Sequence, residues 1–173
     1  DVSLASTYRG STAILRWMLV AGAALATQPA YAGGALPTNG HYTAGQGAIT
    51  GVNNGLTINQ ATSHGIIDWQ SFSIGAGNKV QFNNGTGATL NRVTGGNLSQ
   101  IDGMLSATGS VYLINPQGVV IGPGGKIVTN GSFVASSRDI TNDDFMAGGS
   151  MIATGSSNGD IVNAGTITSK NGD

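Results

Sequence analysis

Val111-Tyr112-Leu113-Ile114-Asn115-Pro116-Gln117-Gly118-Val119-Val120-Ile121 reads as a strand, a tight turn and a second strand. β-Branched and aromatic residues suit the pleated flanks, and Asn-Pro followed by Gly suits the turn between them. Working outward, Val93, Leu113 and Phe133 recur at intervals of 20 residues. Ile101 and Ile121 share the interval, and Ile140 and Ile161 come close to it. A recurrence of this length marks a solenoid, in which each repeat buries its apolar face against its neighbours. The strand-and-turn composition selects a parallel β-helix, with coils stacked at about 4.8 Å. A leucine-rich repeat would need a helical half that is missing. A β-sandwich with coincidental spacing is the alternative.

The same pattern runs through the rest of the chain. Short β-rich runs lie at 56–58, 66–69, 72–74, 80–82, 90–93, 126–128 and 133–135, each bounded by Gly or Asn. Asn54-Gly55 signals a two-residue hairpin, because both turn positions need positive φ. Ile161-Val162-Asn163-Ala164-Gly165-Thr166-Ile167 reads as two strands broken at a corner. Asn at such corners bonds its own backbone and can ladder between coils. The best helical candidate is short, Asp139 to Ala147, with Asp139 as its cap and Gly148-Gly149 stopping it. A stack of coils has open edges that must be covered, and residues 33–75 read as the N-terminal cap. Residues 76–173 then form the first coils of the β-helix.

Composition agrees. Only 9% of the 173 residues are charged, 29 are Gly, and every carboxylate is an Asp. The net charge of −1, with seven scattered Lys and Arg, predicts no nucleic-acid partner. The absence of Cys excludes disulfides and thiolate metal sites.

The front of the chain reads as an address. Arg9 and Arg16 precede the apolar run 17–26, and Ala30-Tyr31-Ala32 follows. A basic region, a short apolar stretch and a small-residue site make a Sec signal peptide over residues 1–32, cut between Ala32 and Gly33. A buried core helix is the competing reading. With no Met at position 1 and a break inside the repeat at Asp173, the chain reads as a fragment, truncated at its C-terminal side.

Other patterns carry little chemistry. Gly122-Pro123-Gly124-Gly125-Lys126-Ile127 lacks the Ser or Thr of a phosphate loop. Leu36-Pro37-Thr38-Asn39-Gly40 is a turn-rich entry segment. His41 and His64 have no Cys or Glu nearby, so no metal and no cofactor is expected. Asp139, Asp143 and Asp144 match no calcium loop. Parallel β-helices include carbohydrate-active enzymes, and Asp68, Asp102 and Arg92 are the only central residues available to such a site. Trp69 suits a core or cap position. No catalytic residue is assigned.

Four motifs in order resemble a known family: Leu56-Thr57-Ile58-Asn59-Gln60, the run 66–75, Leu90-Asn91-Arg92-Val93-Thr94-Gly95, and Ile114-Asn115-Pro116-Gln117-Gly118-Val119. From about residue 35 to 173 the chain resembles the amino-terminal domain of filamentous haemagglutinin-like exoproteins of two-partner secretion systems. The resemblance implies an all-β fold, a right-handed parallel β-helix with an N-terminal antiparallel β cap. It implies Sec export, then recognition by an outer-membrane barrel transporter through its periplasmic domains, and folding at the surface of a Gram-negative cell. It also implies an adhesin that meets host-cell surface glycans or receptors, as in carbohydrate-dependent haemagglutination and virulence. The same module also heads haemolysins and contact-dependent inhibition toxins. The family's Asn-Pro-Asn-Gly turn maps onto Asn115, Pro116, Gln117 and Gly118, with Gln117 departing from Asn. Asn91 and Arg92 are the second candidate recognition pair.

Overall fold

The computed structural model describes residues 35–149 and 151–172. The proposed signal peptide and its cleavage residues Ala30, Ala32 and Gly33 lie outside them. The described chain is a parallel β-solenoid of about three turns, whose three walls follow one another in strict rotation. The broad, open wall stacks β3 (Gly55–Gln60), β5 (Lys79–Asn83), β8 (Met104–Ala107), β11 (Lys126–Thr129) and β14 (Thr166–Ser169). A second wall stacks β4 (His64–Trp69), β6 (Ala88–Val93), β9 (Ser110–Ile114) and β12 (Phe133–Ser136). The narrow wall holds β7 (Ser99–Ile101), β10 (Val119–Ile121) and β13 (Ile161–Asn163).

Two strands run against this grain. β1 (His41–Ala44) pairs antiparallel with β4, and β2 (Gly47–Val52) pairs antiparallel with β3. They cover the N-terminal edges of the second and open walls. β3 and β4 already pair parallel with β5 and β6 on their other sides. The β2–β3 loop is Asn53-Asn54, one residue earlier than the hairpin signal. Asn54 alone takes the positive φ, 55°, and Gly55 opens β3 with its Cα against the Lys79 carbonyl, where a side chain would not fit.

The interior is filled by columns. Leu56, Val80, Leu105, Ile127 and Ile167 align on the open wall. Ile67, Asn91, Leu113 and Ala135 align on the second. Ile101 stacks on Ile121, as the interval predicts. The interval fails on the second wall, where the coil measures 22 residues: Phe133 lies beside Val111, and Leu113 beside Asn91. Val93, Leu113 and Phe133 therefore sit on different positions along the strand. All three still join the main core, because a slip of two residues preserves the side of a pleat. Ile140 does not share a column with Ile161; it belongs to a separate cluster.

That cluster lies outside the second wall. Ile66, Leu90 and Ile114 point away from the interior yet are fully buried. They are covered by Ile140, Phe145, Met146 and Met151, which belong to a segment, residues 137–149 and 151–160, that leaves the solenoid after β12 and returns at β13. This strap holds α1 (Asn142–Ala147). Its cap is Thr141, not Asp139: the Thr141 hydroxyl accepts the Asp144 N–H at 3.2 Å. Gly148 ends it in the left-handed conformation, φ 68°, a position where Gly costs least. Phe145, fully buried, meets His64 and Tyr112 edge-on at 5.8 and 5.3 Å.

Candidate functional site

The corner between β9 and β10 is the first candidate. The Gly118 N–H donates to the Asn115 carbonyl at 2.9 Å, closing a four-residue turn. Pro at the second position presets φ, and Gly118 takes a φ of 111° that a residue with a side chain would adopt only under strain. The Asn115 side chain, fully buried, locks the corner from inside. Its Nδ2 donates to the Asn97 carbonyl at 3.0 Å and to Ser99 Oγ at 2.9 Å, and its Oδ1 accepts the Gln117 N–H at 2.9 Å. It thereby ties its own coil to the one before. The next coil is tied from the other side: Ser157 Oγ donates to the Pro116 carbonyl at 2.5 Å, and the Val119 N–H donates to the Asp160 carbonyl at 2.9 Å. The turn's backbone is thus held between coils, and its exposed side chains are Pro116 and Gln117. Gln117 at the third position leaves the corner's bonds intact, because the amide that closes the Asx turn belongs to Asn115.

Asn91 and Arg92, neighbours in sequence, face opposite ways. Asn91 is fully buried; its Oδ1 accepts the Trp69 indole N–H at 3.0 Å, and its Nδ2 donates to the Tyr112 carbonyl at 3.2 Å. Trp69 packs edge-on against Phe72 at 5.5 Å, in the core. Arg92 points outward beneath the strap. Its Nε donates to both Asp139 oxygens at 3.0 Å, one terminal nitrogen to Asp68 at 3.3 Å, and the other to the Ile140 carbonyl at 3.0 Å and Asn142 Oδ1 at 2.9 Å. A guanidinium whose three nitrogens are all engaged is a staple rather than a free contact. Asp102 belongs to the narrow-wall corner, where it accepts from Gln100 Nε2 at 3.0 Å. The structure therefore brings Asp68 to Arg92 and leaves Asp102 elsewhere.

Sequence reasoning missed Asn84. It is buried at the corner between β5 and β6, with Nδ2 on Thr89 Oγ1 and the Ser110 carbonyl at 3.0 and 2.9 Å. Its Oδ1 accepts the Gly109 N–H at 2.7 Å and the Thr108 hydroxyl at 3.3 Å. Asn83, Asn84 and Gly85 are turn-type residues, but nothing local marks which Asn faces inward. An outward ladder also forms, from Gln81 through Asn83 to Asn59 at 2.9 and 2.8 Å. Among the described residues no three His, Asp or Glu converge as a metal site. A groove of about 290 Å³ crosses the open wall between Lys79 and Lys170.

The buried corner sews three coils together and displays only its tip. The family model for the TPS secretion domain matches residues 32–173.

The chain belongs to the TPS secretion domain family.

The crystal structure of the HMW1 secretion domain from Haemophilus influenzae superposes with a TM-score of 0.69 at 35% identity, covering 76% of this chain and 36% of that one. Two heme/hemopexin-binding proteins of Haemophilus influenzae are also similar, one of them from strain Rd. The latter is 42% identical over 107 residues, and the other 45% identical over 87. Those stretches cover 61% and 49% of this chain, but only 12% and 9% of the relatives. The chain is thus the secretion domain of a two-partner-secretion exoprotein, and matches a small part of its curated relatives' length.

Proposed function

We propose that this domain is the address by which a large adhesin or haemagglutinin is exported, read by a dedicated outer-membrane barrel transporter through its periplasmic domains. In this reading Sec delivers the chain to the periplasm, the leader is cut after Ala32, and the solenoid forms at the surface of a Gram-negative cell. The carrying observation is the Asn115–Gly118 corner. Its physics divides the motif in two. Asn115 and Gly118 build the turn and are buried in the folded state, whereas the Pro116 and Gln117 side chains stay exposed in the fold and are free to serve recognition. Asn91 and Arg92 act through folding, since one is inside the core and the other is spent on the strap. The carbohydrate-active reading loses its residues in the same way, because Arg92 is neutralised by two carboxylates and Asp102 lies on another wall.

The test is surface delivery in a strain carrying the whole exoprotein and its transporter. Replacing both Asn115 and Pro116 is expected to abolish delivery. Wild-type delivery by that double variant would refute the assignment. Pro116→Ala with Gln117→Ala separates the roles: reduced delivery with unchanged stability of the folded domain supports direct reading of these two side chains, whereas wild-type delivery leaves the motif's role to folding alone.

The cargo admits a second reading. Both curated relatives are named for heme and hemopexin binding, so the domain equally fits the head of a haem-acquisition exoprotein. A haemolysin or contact-dependent inhibition toxin is built the same way. The sequence beyond residue 173 distinguishes the three.

A further inference from the structure

We infer that residues 137–149 and 151–160 form a strap that shuts across successive coils and makes them unfold as one unit. A solenoid without such a device has only nearest-neighbour coupling, so its end coils fray independently. Here the strap reaches non-neighbours. Arg92 of β6 links Asp139 of the strap to Asp68 of β4, one coil further back. Phe145 rests on His64 at the start of β4 and on Tyr112 of β9, two coils apart. Ile140 and Phe145 complete a cluster with Ile66, Leu90 and Ile114 drawn from three successive strands. Ser157 then anchors the return at Pro116.

The strap is itself closed before it docks. Asp139 and Thr154 exchange backbone bonds at 2.9 and 2.7 Å, which makes 139–154 a loop with joined ends. The wall beneath it carries buried apolar residues on both faces, with Ile66, Leu90 and Ile114 on the outer one, unlike the open wall. Its outer row is dry only when the strap is shut, and the docking surface is complete only when β4, β6 and β9 are stacked. Closure therefore follows the third of these strands and rewards all three at once, the condition for a cooperative unit.

Hydrogen exchange by mass spectrometry on the full chain tests this, through peptides covering β4, β6 and β9. In the wild type the three are expected to open together, within about twofold. In Phe145→Ala, β9 is expected to open about tenfold more readily than β4. A uniform acceleration of all three, or a wild type in which they already differ by tenfold, overturns the proposal. If Phe145→Ala does not fold, Asp139→Asn provides the same reading. That side chain is half exposed, and the expected spread is about fivefold; exchange that stays uniform there overturns the proposal equally.

Discussion

The open wall and the strapped wall are built from the same coils but obey different sequence rules. On the open wall, β5 reads Lys79-Val80-Gln81-Phe82-Asn83, with Val80 and Phe82 fully buried and the residues between them facing solvent. On the strapped wall, β6 reads Ala88-Thr89-Leu90-Asn91-Arg92-Val93, buried at every position but Arg92. Alternation marks a sheet wetted on one face, and a near-continuous run marks a sheet covered on both. The difference teaches that the covering segment was already implied in β4 and β6, some 50 residues before it occurs. Gly65-Ile66-Ile67 has no wet side, so something had to lie over Ile66.

The comparison predicts unequal costs for truncating the outer rows of the two walls. Leu90→Ala empties the outer row beneath the strap and is expected to cost about 2–5 kcal/mol, the range for a buried leucine that cannot collapse. Val128→Ala, on the outer row of the open wall, is expected to cost under about 1 kcal/mol. Urea unfolding of the two variants measures the gap. Similar midpoints would mean that the strapped wall is not the drier of the two.

Much of the fold was legible because parity is easier to read than length. Eight of the nine strand runs expected up to residue 135 lie within strands, and both of those expected from 161 onward do; at 72–74 only Ile74 forms an isolated bridge. Four strands were overlooked: His41–Ala44 is short and pairs only with β4, Gly47–Val52 carries two glycines, Met104–Ala107 has no β-branched residue, and Ser99–Ile101 is only three residues long. Their pairing is imposed by neighbours, which is why local preference failed. The interval was misjudged for a related reason. Corners differ in length, so the coil is 20 residues from β7 to β10 but 22 from β9 to β12. The turn at Asn115–Gly118 was legible, because turn chemistry is local. The candidate site was not legible at Arg92, whose main partner lies 47 residues away. Asp139 was read as a helix cap for the same reason, since nothing in its own neighbourhood announces an arginine.

The two asparagines at 83 and 84 sharpen the comparison at the corner where the walls meet. Asn84→Ala leaves the Gly109 N–H, the Ser110 carbonyl and the Thr89 hydroxyl short of a partner in a dry corner. At about 1 kcal/mol or more for each orphaned group, a loss of about 2–4 kcal/mol is expected. Asn83→Ala removes only an outward ladder in contact with water, and about 0.5 kcal/mol is expected. Thermal unfolding of each single variant reads the difference. Equal losses would place Asn84's bonds at the surface in solution.

Tyr42 extends the contrast to the antiparallel strand that closes the strapped wall, and here the effect is smallest. Its hydroxyl is buried with no hydrogen-bond partner, and burial pushes its pKa up to about 12 from 10.0. Burial raises Tyr112 in the same direction. The folded chain thus keeps protons that the unfolded chain has begun to lose at pH 10. Stability from this source is complete below about pH 10 and falls as pH rises through about 12. Tyr42→Phe should flatten the decline between pH 10 and 12 without removing it, because Tyr112 still titrates. At pH 8 the variant should be as stable as the wild type or slightly more so, since it deletes a polar atom that gains nothing from its surroundings. Urea midpoints at pH 8, 10 and 11 decide it. A slope unchanged by Tyr42→Phe would mean that water reaches the phenol, and that β1 seals its end of the wall less tightly than the strap seals the side.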